Sequence, residues 1–220
     1  MDRAEALRRI KLLVGRDLRP LADEYKVTVW RDGRKNKGWA GQTIERYLGF
    51  AYDTRQAPDF GTWDLKLVAL TKNSNNTLRV KESMAITMVT EADLLACRFE
   101  DSHLYDKMRR LLVVGRVYEN IQETSSLLHS AAEFDLSTPE VYRQVKADYD
   151  LIRDTARRDG FDKLTGDLGE LVQTRTKGRG HGSRSRAFYV RAHFVARILN
   201  LNAAPSSALV VTECDARYNA

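Results

Sequence analysis

The stretch PDFGTWDLK, residues 58–66, places two aspartates and a lysine within eight positions, where the pattern predicts the start of a β-strand. Asp64 and Lys66 are two residues apart, so their side chains point to the same face of that strand, with Cα atoms roughly 6.6 Å apart. Pro58 favours an extended or turn entry, which can aim Asp59 at the same place. The stretch therefore predicts two carboxylates converging beside a lysine.

Two interpretations of this cluster are open from the residues alone. Converging carboxylate oxygens suit a hard cation such as Mg²⁺. The cation would activate a water and neutralise charge on a phosphate oxygen, while Lys66 orients the water or stabilises the transition state. The alternative is an exposed Asp–Lys pair, which contributes little to stability. The spacing alone is not specific, because short motifs also occur by chance.

The residues around the cluster predict strands. Alternation puts Trp63, Leu65, Leu67 and Ala69 on one face and Thr62, Asp64, Lys66 and Val68 on the other. Residues 72–77 predict a turn, and residues 78–89 predict the returning strand of a hairpin. A further buried strand is predicted around residues 111–114, and strands are also predicted in the segments LGELVQTRTKG (168–178) and RAFYV (186–190).

Helical patterns lie between these strands. Residues 1–25 predict a helix that Pro20 breaks or ends, and residues 39–49 predict a second helix closed by Gly49. Residues 139–159 predict the clearest helix, capped by Ser137 or Thr138 and ended by Gly160. A last helix is predicted after residue 190. Because helices and strands interleave, the predicted class is mixed α/β with a mixed or antiparallel sheet.

Composition bounds the kind of protein. The chain has 220 residues, of which 43% are hydrophobic, enough for a single domain with its own core. No apolar run approaches the length of a membrane span, and the N-terminus lacks a signal-peptide core. Cys97 and Cys214 have no metal-site spacing, so we expect free thiols in a reducing cytoplasm.

Charge is distributed unevenly along the chain. The net charge is +6, and residues 171–212 contain no acidic residue. A segment of one sign is typical of a surface that binds a polyanion, although a solvated basic face is the alternative. The basic side chains of this segment are Arg175, Lys177, Arg179, Arg184, Arg186, Arg191 and Arg197.

The pattern Pro-Asp…Asp-x-Lys resembles the signature of the PD-(D/E)xK nuclease superfamily, and within it the chain resembles the MutH-like family of mismatch-repair nicking enzymes and GATC-cutting restriction enzymes. The resemblance covers about residues 34–200 in order. It rests on NKGWAGQTIERYLG (36–49), FEDSHLYDKMRRLLVV (99–114), the helix that begins at Pro139, LGELVQTRTKG and RAFYVRAHFVARIL.

This resemblance implies a restriction-endonuclease-like fold, with a central mixed β-sheet flanked by helices and two lobes around a DNA cleft. The implied catalytic lobe spans about residues 1–120 of the single domain, and the recognition lobe about residues 121–220. It also implies a Mg²⁺ cofactor, for which Mn²⁺ substitutes. The implied catalytic residues are Asp59, Asp64, Lys66 and Lys107, and the implied metal ligands are Glu45, Asp59, Asp64 and the backbone carbonyl of Leu65.

The resemblance further implies double-stranded DNA as the partner. Arginine suits bidentate guanine or phosphate contacts, and lysine suits phosphate contacts. Tyr189 matches a tyrosine implicated in sensing adenine methylation. The implied DNA-binding residues are Lys37, Arg175, Lys177, Arg184, Arg186, Tyr189 and Arg191.

The function expected first is that of a sequence-specific type II restriction endonuclease, which leaves 5′-phosphate and 3′-hydroxyl ends and cuts both strands, either by pairing with a second copy on DNA or by successive nicks. The alternative is a methyl-directed mismatch-repair nicking endonuclease that depends on a partner ATPase. A catalytically inactive DNA-binding module is the alternative of another class; nonspecific RNA binding is disfavoured by the lack of an RNP sequence. We expect a cytoplasmic, nucleoid-associated protein of bacterial type.

Two departures from the family pattern limit what carries over. Asp64 stands where the nearest relatives carry glutamate, and its shorter side chain would move a bound metal toward the strand. The segment after Lys177, GRGHGSRS, is compressed and rich in glycine. GATC is therefore not carried over as the recognition sequence.

Overall fold

The computed structural model describes residues 1–50, 61–177 and 185–201, which contain seven α-helices and nine β-strands. The helices are α1 (Arg3–Lys11), α2 (Leu18–Glu24), α3 (Trp39–Tyr47), α4 (Glu91–Ala96), α5 (His103–Met108), α6 (Pro139–Asp159) and α7 (Ala192–Ile198). The strands are β1 (Trp30–Arg31), β2 (Arg34–Lys35), β3 (Asp64–Lys72), β4 (Leu78–Val80), β5 (Met84–Val89), β6 (Arg110–Val117), β7 (Leu128–Asp135), β8 (Val172–Thr176) and β9 (Arg186–Val190).

The main sheet has four strands in the order β4-β3-β6-β7. β3 and β6 run parallel over residues 64–70 and 111–117, and the other pairs are antiparallel. This confirms the predicted mixed sheet and the buried strand around residues 111–114. β7 was not predicted, because its sequence, LHSAAEFD, has little apolar alternation and most of its side chains are only partly buried.

A second sheet, with the order β5-β9-β8, is antiparallel throughout. The prediction of one returning strand over residues 78–89 was wrong. β4 pairs with only the last three residues of β3, and after the polar residues 81–83 the chain enters β5, which pairs with β9. The buried side chains of Met84 and Ile86 join the core beneath the second sheet, which favours this crossing over a longer hairpin.

Apolar packing covers both faces of the main sheet. One core lies between the sheet and the N-terminal helices, with Ile10, Trp39 and Ile44 fully buried. The larger core lies on the other face and includes α6, α7 and the second sheet. The division of strands between the two sheets does not follow the implied lobe boundary near residue 120. β5 lies before this residue but belongs to the second sheet, and β7 lies after it but belongs to the main sheet.

The N-terminal segment differs from the single helix predicted over residues 1–25. α1 ends at Lys11 and α2 begins at Leu18, where the Asp17 side chain accepts a hydrogen bond from the backbone N–H of Arg19 at 3.0 Å. Pro20 lies in the first turn of α2 and does not end a helix. The prediction failed because the backbone N–H groups of the first helical turn have no partner within the helix. Proline lacks such an N–H, so it can occupy this turn without breaking a helical hydrogen bond.

The predicted long helix is confirmed as α6, which follows Thr138 and ends at Gly160 with a φ of +99°. Its buried residue Asp148 holds the start of β8. The carboxylate accepts hydrogen bonds from the backbone N–H groups of Glu170, Leu171 and Val172 at 2.7–2.8 Å. One buried side chain therefore fixes the strand that carries Arg175.

We expect Asp148→Asn to destabilise the protein by about 2 kcal/mol, because one acceptor oxygen becomes a donor facing backbone N–H groups. Thermal unfolding monitored by circular dichroism should show a melting temperature lower by roughly 4–8 °C. Asp154→Asn, an exposed change on the same helix, is the control and should have little effect. An unchanged melting temperature for Asp148→Asn would contradict the role assigned to this carboxylate.

Within the described parts of the chain, no helix combines the length and apolar composition that crossing a bilayer requires.

Candidate active site

The start of β3 brings together three of the residues predicted for catalysis. Asp64 is completely buried, and its carboxylate forms an ion pair with the amino group of Lys66. Lys107, on α5, places its Nζ 3.8 Å from Asp64 Oδ1. α5 begins after Ser102, whose hydroxyl accepts a hydrogen bond from the Tyr105 N–H. A buried carboxylate is therefore held between two lysines that come from different elements.

Glu45 extends this cluster from the other side of the strand. It lies on α3, one turn after Gly41, while Trp39 and Ile44 bury the opposite face of that helix. The pKa of the Glu45 carboxyl is raised above its usual value, first by burial and then by the negative charge of Asp64, against the opposing effect of Lys66. Glu45 therefore lies within electrostatic reach of Asp64 and Lys66.

Asp59, the other predicted catalytic carboxylate, lies outside the described residues. Within residues 1–50, 61–177 and 185–201, no group of three histidine, cysteine or acidic side chains could hold a metal ion. Asp64 and Glu45 are the two predicted acidic ligands that the structure describes. Leu65, whose carbonyl was also predicted as a ligand, follows Asp64 directly in β3.

The cluster opens onto a cleft along one edge of β3. Because β4 pairs only with residues 70–72, residues 64–69 have a strand neighbour on one side alone, β6, among the residues that the structure describes. The cleft has a volume of about 510 Å³, and it joins residues of both sheets. Its walls include Lys37, Lys66, Glu82, Lys177 and Tyr189.

A smaller cleft of about 290 Å³ adjoins the first one and is lined by Gly41, Glu45 and Arg116. The two clefts share Lys37 and Glu82. Glu45 thus reaches the same open space as Lys66. The structure groups the predicted catalytic cluster with two of the lysines predicted to contact DNA.

Tyr189 lies on β9, opposite Gln173 of β8. Its pKa is raised, first by burial and also by the charge of Glu82, while the positive charge of Arg175 opposes the shift. Arg175 is exposed and packs beside Gly166. Arg175, Tyr189 and Glu82 therefore interact at the wall formed by the second sheet.

Two arginines of the basic segment are occupied inside the fold. Arg186 is buried and donates hydrogen bonds to the carbonyl oxygens of Phe161 and Asp162 at 2.9 and 2.7 Å. Arg191 donates to the carbonyl oxygens of Gly166, Leu168 and Gly169. These contacts give both side chains a structural role in holding the loop before β8. Arg184, also predicted to bind DNA, lies outside the described residues.

The sequence analysis missed three residues of this region. Glu82 lines both clefts, but nothing in its sequence context separates it from an ordinary surface glutamate. Arg116 and Glu123 form a buried ion pair at 3.0 Å beside the smaller cleft. Their burial depends on distant neighbours in the fold, so neither position carried a signal that local pattern could detect.

The chain matches the family model described as DNA mismatch repair enzyme MutH over residues 48–148, a range that includes Asp59, Asp64, Lys66 and Lys107. It is 27% identical over 216 residues to the DNA mismatch repair protein MutH of Haemophilus influenzae strain PittEE, covering 89% of this chain and 93% of the relative. The corresponding protein of Vibrio cholerae strain M66-2 is 26% identical over 209 residues, covering 89% of this chain and 94% of the relative.

Among solved structures, the chain is similar to the restriction endonuclease MvaI in a complex with its cognate DNA substrate. The alignment covers 82% of this chain and 95% of that chain, with 12% identity and a TM-score of 0.36. The sequence relatives align along nearly the whole chain. The chain is therefore similar to the MutH family of DNA mismatch repair enzymes, in line with the resemblance of its sequence motifs, and it has a mixed α/β fold.

Proposed function

We propose that this protein is a Mg²⁺-dependent DNA endonuclease of the mismatch-repair nicking type. The observation that carries the proposal is the completely buried Asp64, paired with Lys66 and Lys107 at the open edge of β3. A buried carboxylate costs free energy unless it is paired, so a site that buries one beside an open basic cleft is a candidate for chemistry. The matching family is one of DNA mismatch repair enzymes.

The donor atoms fit a hard cation. Asp64 and Glu45 supply carboxylate oxygens, and their mutual repulsion, which contributes to the raised pKa of Glu45, is what a divalent cation would relieve. We propose that Asp59 and the backbone carbonyl of Leu65 complete the ligand set. When bound, Mg²⁺ supplies charge neutralisation at the phosphate and activation of water. Mn²⁺, which also prefers oxygen ligands, is expected to substitute.

The side chains of the chain supply positioning and charge. Lys66, at the cleft, donates to the attacking water or to a phosphate oxygen as negative charge develops on it. Lys107, more deeply buried, holds the Asp64 carboxylate in its orientation. Asp64 in turn holds the Lys66 ammonium in place for the reaction. Hydrolysis is expected to leave 5′-phosphate and 3′-hydroxyl ends.

Duplex DNA would lie along the cleft between the two sheets. Lys37 and Lys177 are exposed on its walls and suit phosphate contacts, and the exposed Arg175 suits a base edge or a phosphate. Tyr189 lies at the same wall, where it can report adenine methylation. We leave Arg186 and Arg191 out of this proposed set because their guanidinium groups hold the loop before β8.

The nicking activity comes first because the relatives that align along nearly the whole chain are mismatch repair proteins. This reverses the order expected from the sequence alone, in which type II restriction came first. Type II restriction is the second candidate, and the compressed segment after Lys177 means that GATC is not carried over as the recognition sequence for either activity. The first activity implies a mismatch-repair ATPase as partner, and the second implies a second copy on DNA.

Plasmid cleavage separates these activities. Supercoiled plasmid, methylated or unmethylated at adenine, would be incubated with the protein in Mg²⁺, Mn²⁺ or EDTA, with and without a mismatch-repair ATPase. We expect nicked circles in Mg²⁺ and Mn²⁺ but not in EDTA, with sites mapped by run-off sequencing. Linear product in place of nicked circles would favour restriction. Binding of the plasmid without cleavage under every condition would instead favour an inactive DNA-binding module.

A further inference from the structure

The hairpin formed by β1 and β2 stands beside the cleft and is strongly basic. Its four strand residues are Trp30, Arg31, Arg34 and Lys35, joined by a turn at Asp32 and Gly33 with φ angles of +50° and +70°. These angles belong to the tight turn that suits the twist of a two-residue hairpin, for which Asp-Gly is a preferred sequence. The hairpin is therefore a regular element in which the turn fixes the pairing of the basic residues.

Its two residue pairs face opposite ways. Trp30 pairs with Lys35, and Arg31 pairs with Arg34, so the two pairs project from opposite faces of the ribbon. The first pair faces the protein, because the Trp30 indole N–H donates to the Gln122 carbonyl at 3.0 Å and the Lys35 Nζ donates to Glu123 at 2.7 Å. The arginine pair therefore projects away from the protein.

The arginine pair is unfavourable for the hairpin itself. Like charges directly opposite each other on neighbouring strands destabilise a sheet. The Arg31 side chain is 86% exposed, and it forms an ion pair at 3.7 Å with Asp32, whose side chain is 90% exposed. Such an exposed ion pair does little to offset the repulsion. A bound polyanion would remove this repulsion, because its negative charges would lie against both arginine side chains.

The hairpin is rigidly connected to the cleft. Asn36 follows β2 and donates from its amide to the Thr28 carbonyl at 3.0 Å and to Gln42 on α3 at 2.9 Å. The next residue, Lys37, lines both clefts. The basic surface thus continues from Lys37 in the cleft to Arg31 and Arg34 outside it, along a segment whose backbone is held on both sides.

We propose that the β1–β2 hairpin is a preorganised DNA-binding arm, in which Arg31 and Arg34 contact backbone phosphates of duplex DNA outside the cleft. This inference rests on the proposed function, since it extends the same DNA surface. An arm that is already ordered loses little conformational entropy on binding. Because phosphate contacts carry no base information, the arm adds affinity and register without changing the recognition sequence.

The test is the salt dependence of binding to a fluorescein-labelled duplex, measured by anisotropy in EDTA so that no cleavage occurs. Each phosphate contact contributes about 0.9 to the slope of log affinity against log salt. We expect Arg31→Gln/Arg34→Gln to lower the magnitude of that slope by about 2 and to weaken binding roughly tenfold or more at low salt. An unchanged thermal melt would show that the variant folds.

The control is Arg157→Gln/Arg158→Gln, which removes the same charge from two exposed positions at the end of α6 that line neither cleft. It should leave the slope unchanged. A wild-type slope in the hairpin variant, or an equal loss in both variants, would overturn the arm while leaving the endonuclease proposal intact. Failure of the wild-type protein both to bind duplex DNA in EDTA and to cut plasmid in Mg²⁺ would overturn the proposed function and the arm with it.

Discussion

Lys66→Ala should reduce DNA cleavage by about 10²- to 10⁴-fold, the range found for catalytic groups that donate to developing negative charge. Of the two lysines beside Asp64, Lys66 is the one that lines the cleft, so its ammonium group is placed to contact a phosphate or a water. Asp64 keeps its contact with Lys107 at 3.8 Å in this variant. The folded structure is therefore expected to persist while the reaction fails.

Initial rates of plasmid nicking in Mg²⁺ would measure this loss, and duplex binding in EDTA would show whether affinity survives. Lys72→Ala is a matched control, since Lys72 is the exposed last residue of the same strand. It should cleave at close to the wild-type rate. If Lys66→Ala cleaves normally and Lys107→Ala does not, the two lysines have the opposite roles. If both variants cleave normally, the chemistry takes place elsewhere.

The sequence predicted the local part of this cluster better than its surroundings. Asp64 and Lys66 lie on one strand, whose period of two fixes their relative direction whatever the rest of the fold does. Lys107 and Glu45 came from the family resemblance, because no local rule relates helix positions so far along the chain. All four side chains prove to interact around Asp64.

The open edge of β3 could not be predicted, although the proposed function depends on it. This edge is open because β4 is short and pairs only with the end of β3. The next strand, β5, belongs to the second sheet, where Met84 pairs with Val190. That pairing joins residues distant in the chain, and its stability comes from a shared core that residues 78–89 do not reveal by themselves.

The sequence also could not predict which basic side chains of residues 171–212 face the solvent. The positive sign of this segment was evident, but not the direction of each side chain. Arg186 and Arg191 are satisfied by carbonyl groups of the loop before β8, whereas Arg175 and Lys177 remain exposed. Which arginine becomes structural depends on where unpaired carbonyl groups fall in the folded chain.

A buried ionic network around Glu123 joins the segment that carries Lys37 and Glu45 to the main sheet. Glu123 is 1% exposed and accepts hydrogen bonds from Lys35 at 2.7 Å, from Arg116 at 3.0 Å and from the Trp39 indole. Arg116 also lies over the Trp39 ring, 5.2 Å from its centre. β2, α3 and β6 therefore meet at one carboxylate.

Glu123→Gln should destabilise the protein by about 3–5 kcal/mol, because it leaves the charges of Lys35 and Arg116 uncompensated in a buried site. For a chain of this size, that loss corresponds to a melting temperature lower by roughly 6–20 °C. Since Trp39 is the first residue of α3, the loss of stability should include the helix that positions Glu45. Thermal unfolding at neutral pH would measure the effect.

The pH dependence gives this prediction a sharper form. Burial opposes ionisation of Glu123, but hydrogen bonds from Arg116, Lys35 and Trp39 outweigh it and lower its pKa below 4.5. A lowered pKa contributes stability that is fully present above the unfolded value and is lost as pH falls through the folded one. The gap in stability between wild type and Glu123→Gln should therefore be constant near neutral pH and shrink below about pH 4.5.

Glu119→Gln is the matched control, because Glu119 is exposed in the same loop and forms no ion pair with residues 1–50, 61–177 or 185–201. It should unfold within about 1–2 °C of the wild type, as surface changes usually do. A similar loss in both variants would mean that negative charge in the loop, and not the buried network, supports the fold. A Glu123→Gln deficit that stayed constant well below pH 4 would show that folding does not lower the pKa of the Glu123 carboxyl, since equal folded and unfolded pKa values make the contribution independent of pH.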